Sequence, residues 1–282
     1  MLTVLEILKK TTDFFAARGI ESPRLNAELL VGHALGLKRM QLYLQFERPL
    51  SEPELERIRP LVRRRGQREP VQHIVGATDF HGLHLKVDRR ALIPRPETER
   101  LIELAVREVA VPPARILDLG TGGGAVALAL AQQYPESQVT AVDLSAEALA
   151  LAAENAAATG LAERVRLVAS NWFEQVPADA RFELIVGNPP YLSADETAAA
   201  APEVRDFEPR MALTSPGPDG LADLRAIVAA APRHLAPGGL LALETGIAQH
   251  AALLPLAREA GFRRVESRPD LTGRDRFVLA FP

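Results

Sequence analysis

After Pro113, short apolar runs alternate with stretches of helical periodicity, and this alternation restricts the possible folds more than any other feature of the sequence. The apolar runs read ARILDL, VTAVDL, VRLVA, ELIVG and LLALE. Strands separated by helices are typical of βα units, in which a parallel sheet is covered by helices on both faces. The sequence therefore predicts an α/β domain, and a ligand would bind at the carboxyl edge of its sheet.

The first quarter of the chain has a different pattern and predicts a small all-helical domain over residues 1–75. Apolar and small side chains recur at helical spacing over residues 4–15, and this pattern stops at Gly19. Serines followed by prolines mark the starts of two further helices. Pro60 is expected to kink or split the last of these helices, because proline lacks the backbone N–H that a helix interior needs.

A β-hairpin is predicted between the two regions. A two-residue period runs from Asp79 to Val87, and a second short apolar run follows at Ala91-Leu92-Ile93. We therefore assign residues 76–96 to a hairpin linker and residues 97–282 to the α/β domain.

Composition excludes several classes of site. The formal net charge is −3, so a large nonspecific phosphate-binding surface is not indicated and no direct binding to nucleic acid is expected. The absence of cysteine excludes disulfides, thiolate metal sites and a cysteine nucleophile. The first residues mix acid and lysine into the apolar pattern, and no run approaches the roughly 18 apolar residues of a membrane span. We expect a cytoplasmic protein that does not enter a membrane.

Two polar clusters are interpreted as ordinary surface features. His81 and His84 would face opposite sides of one strand, so no metal site is expected there. Arg63-Arg64-Arg65 is interpreted as the solvated end of a helix, although it could contact RNA.

The residues Gly120-Thr121-Gly122-Gly123-Gly124 form a candidate cofactor loop between a buried strand and an apolar helix that begins near Ala125. Glycines let the backbone turn sharply and approach a ligand closely. The loop alone is ambiguous, because Ala125 can replace the third glycine of a nicotinamide-binding fingerprint. A turn that only packs strand against helix is a further alternative.

Two residues at the ends of the next strands are candidate cofactor contacts. Asp143 closes VTAVD, where a carboxylate can accept hydrogen bonds from ribose hydroxyls, or can cap the helix that starts at Ser145. Trp172 follows the third strand and can flank an adenine, although a single tryptophan is more often a core residue.

The motif Asn188-Pro189-Pro190-Tyr191 follows the strand ELIVG and favours methyl transfer over hydride transfer. An amide or exocyclic amine nitrogen is planar and weakly nucleophilic because its lone pair is delocalised. Carbonyl oxygens of Asn188 and the proline pair can accept both N–H groups and stabilise the growing positive charge, while Tyr191 offers a flat face. We therefore predict an S-adenosylmethionine-dependent methyltransferase with Asn188, Pro189 and Tyr191 as catalytic residues and Asn188 to Tyr191 as the substrate site. A proline-rich loop without function is the alternative.

With these residues in view, the whole chain resembles the HemK-type protein glutamine methyltransferases that modify bacterial translation release factors. The resemblance rests on Phe80 and Gly82, LIPRPETE at 92–99, DLGTGGG at 118–124, NPPY at 188–191, EPRMAL at 208–213, DGL at 219–221, LAPGG at 235–239 and DLTGRDR at 270–276.

The resemblance implies a Rossmann-like, seven-stranded methyltransferase domain joined by a hairpin to a helical domain that docks the protein substrate. It implies that this substrate is the glutamine of the Gly-Gly-Gln motif in class I peptide chain release factors, and that S-adenosyl-L-homocysteine is the product. The residues that carry over as cofactor contacts are Gly120, Thr121, Gly122, Gly123, Gly124, Asp143, Trp172 and Asn188. We expect a monomer.

Three positions depart from the family pattern: Gly123 replaces a frequent serine or threonine, Asn171 a common aspartate, and Phe207 a common tyrosine. Asn171 lacks the charge to hold an adenine amine strongly, so it is not predicted as a contact.

Four alternatives stay open at this point. A nucleic-acid adenine amino-methyltransferase shares the motif chemistry but needs a basic groove and a base-flipping pocket. A glutamine methyltransferase of a ribosomal protein would have the same catalytic motifs and differ only in its N-terminal domain. A nicotinamide-dependent dehydrogenase leaves the NPPY motif without a role, and a silent binding module would not need Asn188.

Overall fold

A computed structural model describes residues 1–282, and the chain divides into two compact units. One unit comprises Met1–Ala77 together with Ala201–Phe207, and the other comprises Thr78–Ala200 together with Glu208–Pro282. The boundaries predicted at residues 75 and 96 stay predictions.

The first unit is helical, as predicted. Its helices are α1 (Val4–Ala16), α2 (Pro23–Leu35), α3 (Arg39–Tyr43), α4 (Glu52–Gly66) and α5 (Val71–Val75), and the chain returns later to add α10 (Pro202–Arg205). Helix α1 begins with a capping box, in which Thr3 Oγ1 accepts from the Glu6 N–H and Glu6 accepts from the Thr3 N–H. Its buried positions are those with the predicted helical spacing.

The expected split of α4 at Pro60 and the expected solvation of Arg65 were both wrong, and a kink at Pro60 stays a prediction. The helix is not split at Pro60, because it starts with its own capping box at Ser51 and packs Leu55 and Ile58 into the core of the unit. Arg65 is not solvated either: its side chain is 6% exposed and pairs with Glu203 at 2.8 Å.

The hairpin consists of β1 (Ala77–Phe80) and β2 (Leu83–Lys86). The predicted second apolar run is therefore not a strand, and Ala91 instead packs against Ala148 and Leu151. His81 lies in the hairpin turn with φ of +48°. The strand geometry expected for His81 and His84 was therefore wrong, and His84 Nδ1 instead lies 2.7 Å from a carboxylate oxygen of Asp79.

The second unit contains a seven-stranded sheet in the order β5-β4-β3-β6-β7-β9-β8. The strands are β3 (Arg115–Leu119), β4 (Gln138–Asp143), β5 (Val165–Ala169), β6 (Phe182–Gly187), β7 (Leu235–Glu244), β8 (Arg264–Pro269) and β9 (Asp275–Phe281). The five predicted strands are parallel, and β9 is antiparallel to both of its neighbours. The α/β fold class is therefore confirmed.

Helices cover both faces of this sheet. They are α6 (Pro96–Glu108), α7 (Ala125–Gln133), α8 (Ala146–Ala158), α11 (Ala222–Ala230) and α12 (His250–Glu259). The short helix α9 (Ala194–Ala199) follows the NPPY motif. Residues of α6 and α7 form one apolar cluster with the sheet, and residues of α11 and α12 form a second. No helix has both the length and the apolar character that crossing a membrane requires.

The central strand β6 positions the NPPY motif. Leu184 and Val186 belong to one apolar cluster and Ile185 to the other, as the two-residue period of a strand requires. Gly187 is paired with Leu119 of β3 on one side and with Leu243 of β7 on the other. The motif therefore leaves the sheet between the glycine loop after β3 and the end of β7.

Candidate active site

A cavity of about 320 Å³ opens at the carboxyl edge of the sheet, within the second unit. Part of its lining comes from the ends of four neighbouring parallel strands, the position at which ligands of such sheets bind. The predicted residues among the lining are Gly120, Thr121, Gly122, Gly123, Asp143, Trp172, Asn188 and Pro190. Residues that are distant in sequence thus meet around one space.

Three other predicted residues do not line the cavity. Gly124 is the N-cap of α7, and a Cβ at this position would lie 3.2 Å from Ala152 Cβ, so this glycine allows the loop to pack on α8. Pro189 is buried. The hydroxyl of Tyr191 is directed toward a buried polar network described below.

The glycine loop has a backbone that side chains would obstruct. Gly120 and Gly122 have φ of +69° and +54°, a region that favours glycine. A Cβ on Gly120 would lie 3.3 Å from the Trp172 ring. Beneath the loop, a carboxylate oxygen of Asp118 accepts from Thr121 Oγ1 at 2.7 Å and from the Ala127 N–H at 3.1 Å. The burial of Asp118 raises its pKa to about 7.

Asp143 supports both the loop and the next helix. Its Oδ2 accepts from the Gly122 N–H and its Oδ1 from the Ser145 N–H, both at 2.8 Å. Burial raises the pKa of this carboxyl group, while the backbone donors oppose that change. Ser145, and not Asp143, is the N-cap of α8. Asp143 lines the cavity, and its contact with a ribose stays a prediction.

Trp172 is likewise both a core residue and a cavity residue. Its ring packs against one of the apolar clusters and also lines the cavity. The indole Nε1 donates to Asp223 Oδ1 at 3.2 Å, and Trp172 has φ of +48°. Asn171 lines the cavity as well, but its amide donates to Glu174 at 2.8 Å.

The motif side chains rest on a polar network at the end of β7. Asn188 Nδ2 donates to Thr98 Oγ1 at 3.2 Å, and this hydroxyl donates to Glu244 Oε2 at 2.7 Å. Arg276 Nη2 donates to Glu244 Oε1 at 3.3 Å and to the Tyr191 hydroxyl at 2.5 Å. The Tyr191 hydroxyl lies 3.5 Å from Glu244 Oε1. We call Asn188, Thr98, Glu244 and Arg276 the polar relay.

Burial dominates the electrostatics of this network. Glu244 is fully buried, and burial raises its pKa although Arg276 and Thr98 act in the opposite direction. Burial, with the nearby Glu244 charge, raises the pKa of Tyr191 to about 12. The tyrosine therefore keeps its proton at neutral pH and acts as a hydrogen-bonding group, not as a base.

The segment between the hairpin and α6, together with the first turn of α6, forms one wall of the cavity. Pro94, Arg95 and Thr98 line it, and the Arg95 guanidinium pairs with the carboxylate of Glu208. Glu208 begins the EPR segment, and burial raises its pKa despite this pairing. The PRPET sequence is therefore part of the site.

Sequence reasoning did not select Asp118, Thr98, Glu244 or Arg276 as site residues. Asp118 carried a signal, since it is an acid inside an apolar strand. Glu244 carried the same signal as Asp143, because it is an acid that closes an apolar run. Nothing in the sequence alone indicated that Arg276 would pair with Glu244.

Two family models match the chain. The model described as PrmC N-terminal domain matches residues 6–76, and the model described as Methyltransferase small domain matches residues 100–204.

Several curated relatives are similar over nearly the whole chain. The release factor glutamine methyltransferase of Cereibacter sphaeroides is 47% identical over 275 residues, covering 98% of this chain and 97% of that protein. The release factor glutamine methyltransferase of Geobacter sulfurreducens is 44% identical over 276 residues, covering 98% and 95%. The one from Chlorobaculum tepidum is 47% identical over 251 residues, covering 86% and 85%.

Solved methyltransferases share the fold at low sequence identity. The crystal structure of a methyltransferase from Pyrococcus furiosus matches with a TM-score of 0.53 and 22% identity, covering 71% of this chain and 88% of that one. The 16S rRNA N2 G1207 methyltransferase of Thermus thermophilus, solved in complex with AdoMet and guanosine, matches with the same TM-score and identity. That match covers 73% of this chain and about half, 49%, of the other. At these identities the likeness concerns the fold alone.

Proposed function

Because the chain belongs to the release factor glutamine methyltransferase family, we propose that it methylates the side-chain amide nitrogen of the Gly-Gly-Gln glutamine in class I peptide chain release factors. S-adenosylmethionine is the methyl donor in this proposal. The observation that carries it is the placement of Asn188 on the same cavity as the glycine loop and Asp143, at the ends of adjacent strands.

The cavity residues fit the cofactor. Glycines at 120 and 122 expose backbone that no Cβ covers, and Asp143 places a carboxylate on the cavity where ribose hydroxyls can donate. Trp172 would flank the adenine, and Gly120 to Gly124 would shape the loop around the methionine part. When bound, S-adenosylmethionine supplies a methyl group on a positively charged sulfur, and the leaving group is a neutral thioether.

Asn188 would hold the acceptor nitrogen. Its Nδ2 is committed to Thr98, which leaves Oδ1 free to accept an N–H of the glutamine amide. The Pro189 carbonyl would accept the second N–H, and Pro190 and Tyr191 would support the amide plane. Fixed acceptors stabilise the positive charge that develops on the nitrogen as its lone pair forms the new N–C bond. The nitrogen then releases a proton to water, so no strong base is needed.

The N-terminal unit favours a release factor over a ribosomal protein as substrate. The family model of this domain matches residues 6–76, and the relatives named as release factor enzymes align through it. We propose that residues 1–75 dock the release factor, that one copy of the chain acts alone, and that the reaction takes place in the cytoplasm, where translation terminates.

The direct test incubates the purified chain with methyl-labelled S-adenosylmethionine and a class I release factor. A second sample contains the same factor with its Gly-Gly-Gln glutamine replaced by alanine. We expect label only in the first sample, and mass spectrometry should place the added methyl group on that glutamine. Equal labelling of both factors would reject the proposed acceptor.

Asn188→Ala tests the role of the motif. We expect methyl transfer to fall at least about 100-fold, because removing one fixed group that stabilises a developing charge has an effect of that size. Affinity for S-adenosylhomocysteine, measured by calorimetry, should stay within about tenfold of the unchanged chain. Full activity in this variant would contradict the role assigned to Asn188.

A further inference from the structure

The hydrogen-bond directions in the polar relay depend on Glu244. Arg276 Nη2 lies 3.3 Å from Glu244 Oε1 and forms an ion pair with the Glu244 carboxylate. A carboxylate in such a pair has no hydrogen to donate, so Glu244 Oε2 can only accept from the Thr98 hydroxyl, which lies 2.7 Å away. That hydroxyl has one hydrogen, and it is used on Glu244. Toward Asn188 the Thr98 oxygen can therefore only accept, which requires the NH₂ group of Asn188 to face it at 3.2 Å.

Arg276 fixes the relay from the other side. A guanidinium only donates, and Arg276 Nη2 lies 3.3 Å from Glu244 Oε1 and 2.5 Å from the Tyr191 hydroxyl. Its guanidinium carbon also lies 4.7 Å from the centre of the Tyr191 ring. Both Glu244 oxygens thus face donors, and the Glu244 side chain itself is fully buried.

We propose that Glu244, acting through Thr98, is a positioning residue that sets the orientation of the Asn188 amide. With its NH₂ group held by Thr98, Asn188 presents only its carbonyl oxygen to the substrate. A carbonyl oxygen binds the NH₂ end of a glutamine amide and repels its oxygen. The relay therefore selects the nitrogen of the substrate amide, and not the oxygen, as the atom that faces the methyl donor. This inference rests on the proposed function.

Glu244→Gln should reverse the hydrogen-bond directions in the polar relay while keeping the shape of the side chain. The glutamine amide introduced by this substitution has one acceptor and one donor end, and the nearby Arg276 cation requires the acceptor end. The NH₂ end must then face Thr98, whose hydroxyl accepts from it and turns its own hydrogen toward Asn188. The Asn188 amide flips in response and presents N–H groups to the substrate. The isosteric change at Glu244, which is separated from the substrate by Thr98 and Asn188, thus replaces the carbonyl oxygen that Asn188 presents with an N–H donor.

Steady-state kinetics with a release factor tests this relay. For Glu244→Gln and Thr98→Val we expect kcat to fall about 100-fold, the size associated with losing one fixed hydrogen-bonding group at a reacting centre. Thr98→Ser keeps the hydroxyl and should retain kcat within about fivefold of the unchanged chain. KM for the release factor and affinity for S-adenosylhomocysteine should stay within about threefold in all three variants, because neither is set by this amide.

A double variant and a matched control separate the relay from general damage. If Glu244 acts through Thr98, the double variant Glu244→Gln, Thr98→Val should be no slower than Thr98→Val alone within about threefold. Glu183→Gln makes the same isosteric change at the opposite end of β6, where Glu183 accepts from the Arg115 N–H, and should leave kcat unchanged. Wild-type kcat in Glu244→Gln or Thr98→Val, or multiplicative losses in the double variant, would overturn the inference.

Hydrogen exchange of the Asn188 side-chain amide tests the relay without any turnover. Its NMR signals can be assigned from their loss in Asn188→Asp. They should exchange slowly in the unchanged chain and much faster in Glu244→Gln, where the NH₂ group faces the cavity. Equal exchange in both proteins would refute the relay. Absence of methylation by the unchanged chain would instead refute the proposed function, and the exchange result would still decide whether Glu244 orients the Asn188 amide.

Discussion

Asn155 offers a sharp test of how the glycine loop is held. This residue lies on α8, is 2% exposed, and makes three hydrogen bonds through its side-chain amide. Oδ1 accepts from the Lys86 N–H at 2.8 Å, while Nδ2 donates to the carbonyl oxygens of Lys86 at 3.1 Å and Gly123 at 2.9 Å. One amide thus connects the hairpin, the glycine loop and a helix.

We expect Asn155→Leu to lower the free energy of unfolding by about 3 kcal/mol. The branched leucine side chain has nearly the shape of asparagine, so the change removes the three hydrogen bonds while largely keeping the packing. A net contribution of about 1 kcal/mol for each bond gives this sum, and unpaired backbone groups add to it where they are buried. Affinity for S-adenosylhomocysteine should also fall about tenfold, because Gly123 loses its support.

Urea unfolding followed by tryptophan fluorescence is the appropriate assay. Trp172 is the only tryptophan and lies in the same unit as Asn155, so its signal reports the unfolding of that unit. Asn171→Leu is the control, because the exposed Asn171 makes one surface hydrogen bond with Glu174, and its effect should stay within about 0.5 kcal/mol. A decrease of less than about 1 kcal/mol in the free energy of unfolding for Asn155→Leu would refute the assumption that the three hydrogen bonds contribute additively.

Three further predictions concern pH, the cofactor and the helical unit. Burial raises the pKa of Asp118 to about 7 in the folded chain, so folding favours the protonated acid. Its contribution to the free energy of unfolding should therefore fall as pH rises from about 4 to 7, by up to about 1.4 kcal/mol per pH unit. In urea unfolding at pH 5 and pH 8, Asp118→Asn should lack this loss, and equal pH dependence of the two proteins would contradict the prediction. Fluorescence of Trp172 should change on saturation with S-adenosylhomocysteine, and an unchanged spectrum at a concentration where calorimetry detects binding would exclude it from the adenine site. Glu203→Gln should lower the free energy of unfolding by about 2 kcal/mol in thermal unfolding followed by circular dichroism, because the nearly buried Arg65 loses its charged partner. Arg59→Ala, which removes an exposed ion pair, should change this free energy by less than about 0.5 kcal/mol. Equal effects of the two substitutions would contradict the role of burial.

Local periodicity was sufficient to predict the parallel part of the sheet. The apolar runs of β3, β6 and β7 are mostly buried on both faces, and β5 is an apolar run at the sheet edge that is only partly buried. The sequence therefore marks these strands by their apolar character, without knowledge of their neighbours. The last two strands, Arg264–Pro269 and Asp275–Phe281, were not selected from the pattern. Arg264–Pro269 is an edge strand with mostly half-buried side chains and carries three charged residues, so it resembles a loop in sequence.

Pro60 and Arg65 show where local rules fail for a different reason. A proline inside a helix and three consecutive arginines have clear local preferences, and the structure differs from both. Side chains distant in sequence decide the outcome: apolar packing holds α4 together, and Glu203, which lies 138 positions from Arg65, removes the guanidinium from solvent. Interactions of that separation leave no periodic trace in a single sequence.

The rule that found Asp143 and Asn188 also applies to Glu244. All three are polar residues that close an apolar strand at the same edge of the sheet, and β6 and β7 are direct neighbours. Stability does not explain Glu244, because replacing a buried ion pair by apolar side chains is often neutral or stabilising. The proposed relay instead explains this fully buried carboxylate beside the NPPY motif by the hydrogen-bond direction that it would impose. A polar residue at the end of an apolar strand should therefore be weighed as a candidate even when it cannot reach the ligand, since it can determine which atom of its neighbour does.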